Sequence, residues 1–298
     1  MNNFHTPVLL KETIDLLQVK TGKKYIDATL GGAGHTEGIV KRGGIVLGID
    51  VDQEALRYVK ESQKSKVKSQ KLVLAKGNFR DLGKIAHLNG FNKVWGIIFD
   101  LGVSSYQLES AKRGFSFLKG GPLDMRMDEA LGVKASDLIN ILTKGELYEI
   151  FTKLGEERRA RAISDSIVSA RRIAPIQTTG DLLTVIQEAY GIKGELTDFA
   201  KANIGKRVFQ ALRIVVNDEL ENIKEALPKS LELLEMRGRL AVISFHSLED
   251  RIVKQSFLDF EKRNMGKIIT KKPIIASGEE AGNNSRSRSA RLRVFERN

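Results

Sequence analysis

The sequence contains no cysteine among its 298 residues. That one absence excludes disulfide scaffolds, Cys-ligated zinc, iron–sulfur clusters and every mechanism built on a thiolate nucleophile. Histidine is scarce, with four residues and no H-x-x-x-H pair, so the sequence supports no metal site. Long apolar runs are also missing. Stretches such as Trp95 to Phe99 and Leu240 to Phe245 fall far short of the roughly 18 residues needed to cross a bilayer. Met1 to Val8 has neither the basic n-region nor the long apolar h-region of a signal peptide. A cytoplasmic protein with no membrane partner is expected.

Apolar residues make up 41% of the chain and charged residues 29%. These values allow a sizeable core and exclude wholesale disorder. The length suits two average domains or one large fold with an insertion. Lys and Arg total 49 against 37 acidic residues, a net charge of +12. Such a surplus fits a polyanionic partner such as nucleic acid, or a generally basic proteome.

Through the first hundred residues, short β-branched runs alternate with helical stretches, the pattern of βαβ units. Strands are expected at Lys24 to Leu30, Ile45 to Val51, Lys71 to Lys76 and Val94 to Leu101, and helices near His35 to Lys41, Gln53 to Gln63 and Phe79 to Leu88. Nearly continuous apolar strands belong in a parallel sheet covered on both faces. The fold class is therefore α/β. From about Glu109 to Leu212 only helical periodicity remains, which predicts an inserted helical domain. A long helix from Lys206 to Ala226 follows, then a strand at Gly238 to Phe245 and a helix from Leu248 to Lys262. Lys267 to Ile275 and Arg291 to Arg297 read as a terminal antiparallel pair, with a mobile loop rich in Gly, Asn and Ser between them. The expected domains are 1–108 with 213–298, and 109–212.

The first strand turns into the first helix through Asp27-Ala28-Thr29-Leu30-Gly31-Gly32-Ala33-Gly34-His35-Thr36. Glycines there let the backbone approach a ligand, and the helix N-terminus offers N–H groups. Against the dinucleotide pattern G-x-G-x-x-G, Gly32 and Gly34 fit but the third position is Glu37, which would repel a pyrophosphate. An adenosyl ligand without phosphates fits better. Asp50 ends the second strand where a carboxylate can accept both ribose hydroxyls. Asp52 reads instead as an N-cap. Phe79 after the third strand is a candidate adenine cover, or core. Asp100 ends the fourth strand at the edge where open α/β sheets bind ligands, and it needs partners there.

These segments together resemble the bacterial small-subunit ribosomal RNA cytosine-N4 methyltransferases of the MraW/RsmH type. The motifs that carry the resemblance run from His5-Thr6-Pro7-Val8-Leu9-Leu10 through Asp100 to Gln107, Arg113 to Phe117 and Gly121 to Met127, and then Phe209 to Ile214 and Ser244 to Arg251. The resemblance implies a class I, Rossmann-like fold with a mostly parallel seven-stranded sheet and an inserted substrate-recognition domain. The implied cofactor is S-adenosyl-L-methionine, contacted by Ala33, Gly34, His35, Asp50, Phe79, Asp100 and Gln107. The implied substrate is a cytidine in the decoding region of small-subunit ribosomal RNA, free or in the assembled small subunit, and a homodimer is compatible with it. Ala33 stands where the family usually has Gly, so its φ is expected below zero. Tyr106 replaces a usual Pro, and Asn203 to Lys206 depart from the family pattern before Arg207.

Carbon-5 methylation of cytosine normally uses a Cys thiolate, so a cysteine-free chain points to the exocyclic amine. Asp100 is the catalytic candidate for polarising that amine, with holding the cofactor's methionine end as its competing role. Ser104, Ser105 and His246 fit either substrate contact or local structure, and His5 reads as a lid. In the insertion, Arg113, Arg126, Arg158, Arg159 and Arg161 are candidate phosphate contacts or a salt-bridged face. Phe115 and Phe117 could stack a flipped base or anchor the insertion. Residues 109 to 212 hold 16 basic and 14 acidic residues, so the charge surplus lies elsewhere, notably in the Lys-rich 60–76 and Arg-rich 282–298. Two other readings are a nicotinamide-linked dehydrogenase, which Glu37 disfavours, and an idle RNA-binding assembly factor, which intact Asp50 and Asp100 argue against.

Overall fold

A computed structural model describes residues 7–63, 71–104, 107–108, 110–116, 118 and 120–298. His5, Ser105, Tyr106 and Phe117, and most of the Lys-rich stretch before the third strand, lie outside the described residues. The chain divides into two compact units, one of residues 1–104 with 220–298 and one of residues 105–219.

In the first unit a seven-stranded sheet runs in the order β3-β2-β1-β4-β5-β7-β6. Its strands are β1 (Lys24–Asp27), β2 (Ile45–Asp50), β3 (Leu72–Lys76), β4 (Val94–Asp100), β5 (Leu234–Ser244), β6 (Gly266–Ile268) and β7 (Arg291–Arg297). The first five are parallel, and β7 runs antiparallel to both β5 and β6. Consecutive residues of β4 point to opposite faces. Ile97 and Phe99 pack in one apolar cluster, and Ile98 packs in another. The first cluster is completed by α4 (Leu82–Leu88), α10 (Glu219–Leu233) and α11 (Ser247–Lys262), through Leu82, Leu227 and Phe257. The second is completed by α1 (Leu10–Leu17) and α2 (Gly34–Lys41), through Leu17 and Ile39. Burial on both faces is why β4 reads as an uninterrupted apolar run. A third helix, α3 (Gln53–Gln63), contributes Leu56 and Val59 to a smaller cluster with Leu30 and Ala33.

The second unit is helical, with α5 (Ala135–Ile141), α6 (Lys144–Lys153), α7 (Ala160–Ala170), α8 (Thr179–Ala189) and α9 (Asp198–Asn217). Thr143 and Thr178 cap α6 and α8 in reciprocal capping boxes with Glu146 and Asp181, the pairing that satisfies first-turn N–H groups. Asn217 closes α9 against the preceding loop, donating to the Met125 carbonyl at 2.8 Å and accepting the Met127 N–H at 2.7 Å.

The structure corrects several expectations. The expected helix from Lys206 to Ala226 is two helices, because Asp218 takes a left-handed conformation at φ 51° and ends α9. The paired contacts of Arg213 with Glu219, at 2.8 and 2.9 Å, span the break. The apolar repeat continues through that point, which hides it from periodicity. The strand expected at Lys267 to Ile275 shortens to β6 plus a single bridge between Ile274 and Leu292. The expected mobile loop after it is helical, with α12 (Gly278–Asn283) and a 3-10 turn at Ser285–Ser289. Its polar residues serve as caps: Ser277 accepts the Glu280 N–H and Asn284 the Arg286 N–H.

At α11 the N-cap is His246, whose side chain accepts the Glu249 N–H while Glu249 accepts the His246 N–H. Asp250, in the first turn of α11, bonds Arg293 on β7 at 2.7 and 3.1 Å, with both side chains only 9% exposed. Burial alone would raise Asp250, but hydrogen bonds and charge from Arg293 and Arg291 hold it below the usual carboxylate range. Removing one partner of a buried pair costs about 3–5 kcal/mol. Asp250→Asn is therefore expected to lower unfolding free energy by about 3 kcal/mol, measured by urea denaturation at pH 7. Unchanged stability would contradict the assignment.

Candidate functional site

The site grows from the register of three adjacent strands. Asp27, the last residue of β1, pairs with Gly48 on β2 and with Ile98 on β4. Asp50 and Asp100 each lie two residues further along, so they flank the end of β1 at the same level. From there the chain continues through Ala28 to Ala33 into α2, and both flanking strands hold it. The Asp100 N–H donates to Thr29 Oγ1 at 2.6 Å, and the Gly31 N–H donates to Asp50 Oδ2 at 2.8 Å. This is the switch point of the sheet, since β2 and β3 lie to one side of β1 and β4 to the other. Ligands of open α/β sheets bind at such a point, outside the carboxyl ends of the strands.

Each carboxylate has a different degree of satisfaction. Asp27 is buried and accepts the Thr36 hydroxyl at 2.7 Å and the Thr29 N–H at 3.3 Å. Burial raises its pKa against these bonds and the charge of His35. Asp50 also accepts the Asp52 N–H at 2.8 Å, and burial pushes it up to about 6 despite the two N–H groups. A carboxylate offers about four lone-pair sites, so Asp50 keeps acceptor capacity on both oxygens. Oδ1 of Asp100 is buried and has no hydrogen-bond partner among the described residues. Burial pushes Asp100 up to about 7, with Arg286 pulling it down and Glu249 adding a smaller push upward.

The other expected contacts are placed as follows. Asp52 accepts the Glu54 N–H at 3.0 Å at the start of α3, as an N-cap residue does. The Phe79 ring meets Phe99 edge-on at 5.5 Å and is half-buried, leaving part of its surface open. The His35 ring turns inward with its side chain 4% exposed, so what α2 presents at its first turn is backbone. Gly34 is covered by Pro7, and a Cβ there would lie 2.8 Å from the proline ring. Gln107 is buried and belongs to the second unit. Ser104 lies over Gly31, where an added Cβ would sit 3.9 Å from Ser104 Cβ. His246 Nδ1 serves the α11 cap, while its buried Nε2 lies 3.2 Å from Glu249 Oε1 and has no hydrogen-bond partner among the described residues.

Two of the arginines that were candidates for phosphate contacts or a salt-bridged face are used inside the second unit. Arg113 is buried and donates to the carbonyls of Arg126 and Met127 at 2.9 Å. Arg126 grips Asp124 at 2.7 and 2.9 Å and the Glu129 carbonyl at 2.8 Å. Arg159 stacks on the Tyr190 ring at 4.5 Å, whereas Arg158 and Arg161 are exposed. Phe115 is buried, as a structural anchor would be.

Sequence reasoning missed Arg286. It donates to the Val103 carbonyl at 2.5 Å and its charge acts on Asp100, 186 positions earlier in the chain. The only signal was the Arg-rich run before β7, read above as general charge. Glu280 joins it from the same segment by accepting the Leu9 N–H at 2.8 Å.

Ala33 departs from the expected backbone, since its φ is 63°, in the left-handed region. An L-residue there costs roughly 1–2 kcal/mol. Its methyl group, 1% exposed against Leu30, Leu56 and Val59, returns about 0.8 kcal/mol by burial. Ala33→Gly is therefore expected to shift unfolding free energy by less than about 1 kcal/mol. Ala33→Val, β-branched at positive φ in a packed cluster, is expected to cost more than about 2 kcal/mol. Denaturant unfolding of both variants checks this, and a neutral Val would contradict it.

Residues 2–298 match the model of the MraW methylase family. Three similar proteins are each named Ribosomal RNA small subunit methyltransferase H. The one from Fusobacterium nucleatum is 42% identical and aligned over 99% of this chain and 98% of its own. Those from Clostridium botulinum, 43% identical over 97% of both chains, and Lachnospira eligens, 40% identical over 98% of this chain and 97% of its own, agree with it. With the match spanning the strand edge, the helical unit and the C-terminal strand alike, the chain belongs to the MraW methylase family.

Proposed function

We propose that this chain methylates the exocyclic N4 amine of a cytidine in the decoding region of small-subunit ribosomal RNA. As a member of the MraW methylase family it is an S-adenosylmethionine-dependent rRNA methyltransferase. The observation that carries the finer reading is Asp100 Oδ1, an acceptor with no donor among the described residues, at the strand edge where ligands bind. An exocyclic amine is a donor that suits it. The absence of cysteine leaves no thiolate route to carbon 5.

S-adenosylmethionine supplies a methyl group already activated on a sulfonium, so the protein's part is binding, orientation and an acceptor for the amine. Asp50 would take the ribose hydroxyls on the lone pairs that Gly31 and Asp52 leave unused. Phe79 offers its open side to the adenine. Asp27 holds the Thr36 hydroxyl and the Thr29 N–H, and so fixes the turn that presents the first-turn N–H groups of α2. Asp100 accepts a hydrogen of the amine, which restores electron density to a nitrogen lone pair otherwise delocalised into the ring. The second unit serves as the substrate-recognition domain, with exposed Arg158 and Arg161 available to phosphates.

The test is methyl transfer to small-subunit particles from cells lacking this activity, followed by mass spectrometry of the modified nucleoside. The expected product is N4-methylated cytidine, and Asp100→Ala is expected to lower the rate by about 100-fold or more. Undiminished transfer by Asp100→Ala would remove Asp100 from the chemistry. A carbon-methylated product would overturn the N4 reading, and binding without transfer would favour an assembly factor.

A further inference from the structure

The helical unit carries nearly equal numbers of basic and acidic residues, 16 and 14 over residues 109–212, yet the two signs are unevenly spread. Residues 155–161 and 198–207 hold six basic residues against three acidic ones. Two of those acids are engaged locally. Glu157 is buried, accepting the Arg159 N–H at 2.8 Å and the Tyr190 hydroxyl at 3.0 Å, and Asp198 lies 3.6 Å from Lys201. Arg158, Arg161, Lys206 and Arg207 are exposed, and among the described residues none of them meets a carboxylate. Elsewhere in the unit Arg126 and Arg213 each grip one, on Asp124 and Glu219.

The two segments form one surface. Residues 155–159 pack so closely on α9 that a Cβ at Gly155 would lie 2.8 Å from the Arg207 carbonyl oxygen. Gln210, further along α9, donates to the Leu154 carbonyl at 3.4 Å. Arg159 stacks on the Tyr190 ring, and the charge of Arg207 acts on the hydroxyl of the same residue. Along α9 the burial is one-sided. Ile204, Val208, Ala211 and Leu212 are buried, whereas Phe199, Asn203, Lys206 and Arg207, at i, i+4, i+7 and i+8, share the opposite face and are exposed. Phe199 breaks the polar character of that face with a side chain 77% exposed. It stands two turns from Lys206, roughly 10 Å along the helix axis.

An open aromatic ring in line with unpaired cations fits single-stranded RNA. Phosphates answer the cations, and an unpaired base offers a free π-face to the ring, whereas the base faces of a duplex are covered by their neighbours. We infer that this face of the helical unit binds an unpaired segment of the substrate RNA outside the target cytidine, Phe199 stacking on a base while Lys206, Arg207, Arg158 and Arg161 take phosphates. This inference rests on the reading of ribosomal RNA as substrate and adds a second point of contact to it. Stacking tolerates any base and phosphates carry no sequence, so the face supplies affinity and register rather than choice of base.

The test uses the full-length protein and a fluorescein-labelled single-stranded RNA of about 12 nucleotides, with a duplex of the same sequence for comparison. Lys206→Ala and Arg207→Ala are each expected to lower the slope of log affinity against log salt by roughly 0.7. Phe199→Ala is expected to weaken single-strand binding about fivefold or more with the slope unchanged, and Phe199→Tyr to retain wild-type affinity. On the duplex, Phe199→Ala is expected to match wild type. Calorimetry with S-adenosylhomocysteine is expected to give wild-type affinity in every variant, which shows that each is folded. Wild-type affinity and salt slope in all three alanine variants would overturn the inference, as would an equal loss on the duplex for Phe199→Ala. Unchanged RNA binding combined with weakened binding to intact small-subunit particles would assign the face to a protein of the particle and also overturn it. If Phe199→Ala fails to fold, the salt slopes of Lys206→Ala and Arg207→Ala decide alone. A wild-type protein that binds RNA through this face but transfers no methyl group overturns the functional reading and leaves the site standing. Methyl transfer by wild type, with variants that bind RNA as it does, overturns the site and leaves the functional reading standing.

Discussion

The short segment from Ala28 to Ala33 is braced between two strands by one bond on each side, Thr29 Oγ1 to the Asp100 N–H and the Gly31 N–H to Asp50. The strand edge depends on this brace. It ties the segment between two carboxylates that the sheet places on either side of β1. It also sets the entry angle of α2, whose first turn brings Thr36 onto Asp27 and His35 beside Asp100. The sheet supplies the spacing, because neighbouring strands lie about 4.8 Å apart. The brace supplies the orientation.

Placing three aspartates in one partly buried cluster has an energetic consequence. Burial disfavours their charged forms, and a mutual negative charge adds to this. Asp50 at about 6 and Asp100 at about 7 are carboxyls poised to hold protons near neutrality. An acid whose pKa is raised on folding binds its proton more tightly folded than unfolded, so these groups stabilise the fold as pH falls from about 8 toward 5. A cation entering the pocket reverses the balance, since it favours the ionised carboxylates. A sulfonium cofactor is such a cation, and the site fits it in charge.

Much of this was legible in the sequence, for physical reasons. Parallel strands covered on both faces must be apolar along their whole length, so β2 and β4 announced themselves, and the aspartates ending them stood out as polar residues where apolar ones were due. Three features were hidden. Ala33 sits at positive φ because its methyl group packs, and no residue type signals that trade. The Ser- and Asn-rich segment before β7 resembles a loop, yet those side chains cap short helices and bring Arg286 to Asp100. The break at Asp218 falls inside a continuous apolar repeat, where a capping acid looks like any solvent-facing residue. His246 and Arg113 each left two readings open in the sequence, and here His246 completes a helix cap while Arg113 ties two loop carbonyls.

Proton counting tests the account most directly. Calorimetric titration of S-adenosylmethionine at pH 6.5, repeated in buffers of different ionisation enthalpy, gives the number of protons exchanged on binding. If buried, partly protonated Asp50 and Asp100 ionise to receive the cofactor, the protein releases protons to the buffer, about one per site at that pH, and the release fades by pH 8.5. Binding with no proton exchange, or with net uptake at pH 6.5, would contradict the account.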